Sequence, residues 1–190
     1  MRILMLGNSF TYFNDMPKLL AQMLGEEVVA HTRGGAFLSE QLNEEAEMGM
    51  QTLRALREEK WDYVVLQEQS RAPIFCKEKF HESVRGLCAL IRAAGAKPVL
   101  YASWAYREGS EKLAGTEMSY AAMDEGLYAS YHEAAQENDA LVADVGRAFT
   151  AVRGIVNLYE ADDYHPSAAG SMLAAHVIAK TIEEDRRNSK

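Results

Sequence analysis

Five short, nearly uninterrupted apolar runs punctuate the chain, at residues 3–6, 27–30, 63–66, 98–101 and 141–145, with longer amphipathic stretches between them. Runs of that length and continuity suit parallel strands covered on both faces, which show no polar side to water. The helical period between them predicts helices over residues 16–24, 39–59, 77–94 and 118–137. A last helix follows Pro166, with Leu173, Val177, Ile178 and Ile182 as its inward stripe. Pro166 suits the first helical position, where its missing N–H would have no intrahelical partner, so His165 stands at a helix entrance. Alternating strands and helices predict an α/β fold: a three-layer, doubly wound parallel sheet of about five strands, in the flavodoxin-like order 2-1-3-4-5 with right-handed crossovers. The polar stretch 107–116 reads as a long loop after the fourth strand. Neither a fixed-period repeat nor a low-complexity linker interrupts the pattern, so residues 1–190 are expected to form one domain.

Composition narrows the function classes. A net charge of -8, with no local run of Lys and Arg, works against docking on nucleic acid or anionic membranes. No apolar stretch reaches spanning length, and Met1-Arg2-Ile3 enters strand pattern without the parts of a secretory leader, which points to a cytoplasmic protein. Cys76 and Cys88 stand alone and are expected to be thiols. His31, His81, His132 and His176 have no ligand spacing and the phosphate-binding glycine motifs are absent, so neither a metal nor a nucleotide cofactor is expected. The methionines at 5, 16, 23 and 172 read as core filler.

Chemistry is concentrated at the two ends of the chain. Ser9, in Gly7-Asn8-Ser9-Phe10-Thr11, lies between the first strand and the first helix, at the sheet edge where open α/β folds place ligands. A serine there is ordinarily a helix cap or a phosphate contact. Near the other end, Asp162-Asp163-Tyr164-His165-Pro166 sets a carboxylate three residues before a histidine. Ser, Asp, His is one of the chain orders in which a catalytic triad is built, with Ser9 as nucleophile, His165 as base and Asp162 as its partner. Donors for an oxyanion could come from the Arg33-Gly34-Gly35 turn after the second strand, where glycine lets the backbone approach a ligand. They could also come from a side-chain amide of Gln67-Glu68-Gln69-Ser70 after the third. Asn8, Tyr12, Trp104 and Tyr106 are the candidates for pocket walls, with core packing the competing role for Trp104 and Tyr106.

These blocks resemble those of the SGNH (GDSL-type) hydrolases. Gly7-Asn8-Ser9 is similar to the family's G-D-S block, Gly34 or Gly35 to the glycine of its second block, and Asp162, His165 and Pro166 match D-x-x-H-P letter for letter. The usual G-x-N-D is replaced by Gln67-Glu68-Gln69-Ser70, which puts Gln69 in the asparagine's role and leaves Gln67 as second choice. In carrying L-Q-E-Q-S together with G-N-S-F-T, the chain resembles a subset of bacterial members. The resemblance implies a cofactor-independent serine esterase, with an oxyanion hole made by Ser9 and a glycine N–H. Its expected substrate is a small-molecule ester, an acetyl or other short acyl group on a carbohydrate-like alcohol. The scaffold also serves lipid and thioester hydrolysis and acyl transfer, and a non-catalytic anion-binding protein of flavodoxin-like shape is the rival from another class.

Overall fold

The computed structural model describes residues 1–189. Five parallel strands form one sheet in the expected order β2-β1-β3-β4-β5. They are β1 (Arg2–Gly7), β2 (Glu27–Thr32), β3 (Tyr63–Leu66), β4 (Lys97–Tyr101) and β5 (Leu141–Ala143). Parallel neighbours require crossovers, and helices supply them on both faces: α1 (Ser9–Tyr12), α2 (Met16–Leu24), α3 (Glu47–Glu58), α4 (Ala72–Phe75), α5 (Lys77–Ala93), α6 (Glu111–Ala114), α7 (Tyr120–Glu137), α8 (Val145–Val152) and α9 (Ala168–Asn188). Side chains alternate across the pleat and so build two cores. Ile3, Met5, Val65, Val99 and Tyr101 meet α2, α8 and α9, whereas Leu4, Leu6, Val64, Leu66 and Leu100 meet α3, α5 and α7.

The structure departs from the sequence reading where local chemistry overrides period. Residues 39–59 do not form one helix. A 3-10 turn (Leu38–Leu42) is followed by a break at Asn43, whose Oδ1 accepts from the N–H of Glu45 at 3.0 Å, and only then by α3. The last apolar run stops being a strand at Ala143, because Asp144 is the N-cap of α8. The stretch 107–116 contains α6, started by Ser110 accepting from the Leu113 N–H. Pro166 precedes the last helix instead of opening it, since Ser167 is the N-cap and accepts from Gly170 N–H. The inward face of α9 is largely Ala174, Ala175, Ile178, Ala179 and Ile182, with Leu173 and Val177 half-buried against it. Met5 and Met16 are core residues, but Met23 and Met172 are exposed.

A buried polar triangle braces the edge of the sheet below the Gly34–Gly35 turn. The Thr52 hydroxyl donates to Gln41 Oε1 (2.6 Å), Gln41 Nε2 donates to the His31 carbonyl (3.1 Å), and His31 Nδ1 lies 3.0 Å from Thr52 Oγ1. Burial holds the His31 pKa below its ordinary value, which favours the neutral ring. The 3-10 turn is thereby tied to β2 and α3.

Candidate active site

At the carboxyl edge of the sheet the turn after β1 meets the segment before α9. Ser9 opens α1 with only Asn8 between it and β1, so its backbone N–H has no intrahelical acceptor and its side chain faces the edge. Asn8 caps that helix: its Oδ1 accepts from Phe10 N–H (3.2 Å), and its Nδ2 donates to the Ala36 carbonyl (2.9 Å). A carboxylate at position 8 could not make the second bond, which explains the amide there. Gly7 is needed for close approach, because a Cβ would stand 2.5 Å from Thr11 Oγ1 and 2.7 Å from Gln67 Oε1.

His165 Nε2 lies 2.8 Å from Ser9 Oγ, and His165 Nδ1 lies 2.6 Å from Asp162 Oδ2. The other carboxylate oxygen accepts from the backbone N–H groups of His165 (3.0 Å) and Tyr164 (3.3 Å). Burial acts to raise the Asp162 pKa, but the hydrogen bonds from the His165 ring and from these two N–H groups outweigh it. The result is a carboxyl group below its ordinary value, ionised at neutral pH. The neighbouring Asp163 faces away and pairs with Arg107 Nε at 3.0 Å.

Two devices hold the segment that carries Asp162 and His165. Tyr159 and Pro166 form an antiparallel bridge, with Glu160 N–H donating to the His165 carbonyl and Ser167 N–H to the Leu158 carbonyl. Arg107 then gathers the loop, its Nη2 donating to Asn157 Oδ1 (2.9 Å) and to the Tyr159 carbonyl (3.2 Å). The imidazole is also stacked on Phe13, with centroids 4.2 Å apart and planes within 1°.

Around Ser9 lies a cavity of about 370 Å³ lined by Asn8, Tyr12, Gly34, Gly35, Gln69, Tyr164 and His165, among others. Gly35 has φ +69, the left-handed conformation that glycine adopts without strain, and the turn is closed by Ala36 N–H to the Arg33 carbonyl.

The two glutamines after β3 have different surroundings. Gln67 is buried and lines no part of the cavity: Oε1 accepts from Asn8 N–H (3.0 Å) and Thr11 Oγ1 (2.9 Å), and Nε2 donates to the Glu68 carbonyl. It therefore braces the serine turn. Gln69 borders the cavity. Its Oε1 accepts from Arg71 N–H (3.2 Å), which turns Nε2 toward Ser70 Oγ (3.3 Å) and leaves that nitrogen a second hydrogen to give.

Trp104 lines no part of the cavity. It is fully buried, sandwiched between Phe10 (4.6 Å) and Phe149 (4.1 Å), with Nε1 donating to the Tyr164 carbonyl. Tyr106 is buried beside the serine cavity and not in it, its hydroxyl 2.8 Å from Ser70 Oγ. The sequence reading missed Tyr164, for which position alone gave no signal, and Glu68.

Glu68 follows a fully buried strand and is itself 2% exposed. Its carboxyl group accepts from Gln69 N–H (2.6 Å) and Leu38 N–H (3.1 Å), tying the loop after β3 to the 3-10 turn beyond the glycines. Burial pushes its pKa from 4.5 to about 7, against the lowering effect of those two N–H groups. The native state thus holds this proton more tightly than the unfolded chain. The contribution to stability is complete below about pH 4.5 and is lost as pH rises through about 7, a change on the order of 3 kcal/mol. Urea midpoints of the wild type should accordingly fall, relative to those of Glu68→Gln, between about pH 5 and pH 8. Parallel curves would show that Glu68 stays ionised throughout.

Among the described residues no group of three or more His, Cys, Asp or Glu side chains is placed to hold a metal ion, and no helix is long and apolar enough to cross a membrane.

Neither a family model nor a curated protein matches the chain. Among solved structures, a provisionally assigned SGNH hydrolase from Slackia heliotrinireducens is 46% identical with a TM-score of 0.92, covering 96% of this chain and 98% of its own. A DUF4886 family protein from Bacteroides uniformis is 16% identical with a TM-score of 0.67, covering 95% and 82%. The acetylxylan esterase Axe2 from Geobacillus stearothermophilus is 19% identical with a TM-score of 0.69, covering 95% and 93%. At the lower identities the likeness is one of fold.

Proposed function

The chain belongs to the SGNH hydrolases, and from that premise we propose that it is a serine esterase removing a short acyl group, acetyl first, from a carbohydrate-like alcohol. The observation that carries the reading is the unbroken line of hydrogen bonds from Ser9 Oγ through His165 to Asp162. A serine hydroxyl is a weak nucleophile until a base takes its proton. His165 Nε2 is that base, and Asp162 fixes the tautomer in which Nδ1 carries the hydrogen. Ser9 Oγ attacks the ester carbonyl, and the oxyanion that forms is held by the N–H groups of Ser9 and of Gly34 or Gly35 and by Gln69 Nε2. Collapse expels the alcohol, protonated by His165, and water repeats the sequence on the acyl-enzyme to release the acid.

Gln69→Ala is expected to lower kcat on the order of 10-fold or more with little change in KM, because such a donor acts on the charge that develops in the transition state. A KM effect with kcat intact would instead assign Gln69 to substrate binding.

The size of the cavity, about 370 Å³, supports a small substrate over a long acyl chain. Its aromatic walls, Tyr12, Phe13 and Tyr164, offer faces on which a sugar ring can stack. The name of the structural relative Axe2, an acetylxylan esterase, points the same way. A chain-length series of p-nitrophenyl esters beside acetylated oligosaccharides tests the reading. Maximal kcat/KM at acetate, with acetate released from a sugar, is the expected result. A maximum at eight or more carbons with no release from any sugar would replace it with a lipid or thioester hydrolase.

A further inference from the structure

Beside the serine cavity lies a second one of about 350 Å³, and the two share Gln69, Ser70 and Tyr164 as a common wall. The chemistry of this annex is different. Lys112, from α6, and Arg71, from the start of α4, both border it. Lys112 Nζ lies 4.2 Å from the centroid of the Tyr164 ring and 5.8 Å from that of Tyr106. The Arg71 guanidinium rests 5.6 Å from the Phe75 ring. Aromatic faces hold these cations in place without neutralising them.

Elsewhere the molecule tends to pair its cations, as in Arg54 with Glu58, Lys97 with Asp185 and Arg147 with Asp124. Lys112 and Arg71 form no ion pair among the described residues. In a chain of net charge -8, two cations without an ion pair on one cavity wall beside the reacting serine give a local excess of positive charge. Glu111 is the one carboxylate on that wall, leaving an excess of one positive charge. That excess fits a monoanion, whereas a dianionic phosphate would be opposed by Glu111.

We propose that the annex receives a carboxylate carried by the substrate, so that the enzyme prefers esters with an anionic group on the far side of Gln69 from the reacting carbonyl. The assignment rests on the esterase reading of Ser9. It narrows the substrate to an acylated sugar acid, if the carboxylate belongs to the alcohol, or to the half-ester of a dicarboxylic acid, if it belongs to the acyl group.

Two matched pairs separate these sources: an acetylated methyl glucuronide against its acetylated methyl glucoside, and p-nitrophenyl hemiglutarate against p-nitrophenyl butyrate. The wild type is expected to favour the charged member of one pair by roughly 5-fold or more in kcat/KM, mainly through KM, and the preference should shrink as salt is added. In the double variant Lys112→Gln, Arg71→Gln the charged-to-neutral ratio should collapse to about one. The pair that shows the effect identifies the source. Equal kcat/KM within both pairs, or a preference that survives in the double variant, overturns the assignment and leaves the esterase standing. Failure to hydrolyse any of the four esters overturns the esterase reading and this one with it.

Discussion

Ser9→Ala is expected to fold normally and to lose activity on p-nitrophenyl acetate by on the order of 10³-fold or more, the non-additive loss seen when one member of a cooperating set is removed. The hydroxyl is bonded to His165 Nε2 and carries little packing, whereas the serine turn is braced by groups the substitution leaves alone, Asn8, Thr11 and Gln67. Thermal melting should therefore be nearly unchanged while turnover falls. A serine-reactive organophosphonate should add to Ser9 of the wild type, with the adduct located by mass spectrometry, and to no residue of the variant. Near-full activity in Ser9→Ala would remove this serine from the chemistry.

Asp162→Asn is expected to cost on the order of 10²-fold or more in kcat with the fold intact. The amide can keep an oxygen toward the N–H groups of His165 and Tyr164, but it then turns its NH2 toward His165 Nδ1. The ring must answer by accepting there, which moves its hydrogen to Nε2 and leaves nothing to take the Ser9 proton. Because the Asp162 side chain is 43% exposed, water can partly restore the correct tautomer, so the loss should be smaller than for a buried carboxylate. The acidic limb of the pH–rate profile should shift as well. Wild-type turnover in this variant would pass the role to another group, and Asp163 is poorly placed for it, being held by Arg107.

The sheet was legible because each strand announces itself locally, by apolar runs such as residues 63–66 that hardly overlap helical period. The place of Ser9 was legible for a topological reason, since in a doubly wound sheet every segment that follows a strand arrives at the same edge, whereas His165 follows α8 and was legible only through the Asp162-x-x-His165-Pro166 spacing. What chain position could not supply was direction. Gln67 and Gln69 are two residues apart after the same strand, and only the claim of Asn8 N–H and Thr11 on Gln67, from the turn and helix that follow β1, tells them apart. Trp104 stands at the correct edge, yet Phe10 and Phe149 draw its ring beneath the floor of the site. The break at Asn43 was hidden for the opposite reason, since a side chain bonding its own backbone two residues on leaves the apolar pattern undisturbed.

The indole of Trp104 touches both halves of the site: its face lies on Phe10, one residue beyond the nucleophile turn, and its N–H is held by the carbonyl that precedes His165. That makes it a native optical gauge. The other tryptophan, Trp61, lies at the opposite end of the sheet under Arg2, so a Trp61→Phe protein would emit from Trp104 alone. Any opening of the histidine segment away from the serine must release that N–H bond and admit solvent to the ring. It would register as a red shift in emission, letting the assembly of the site be followed without substrate or label.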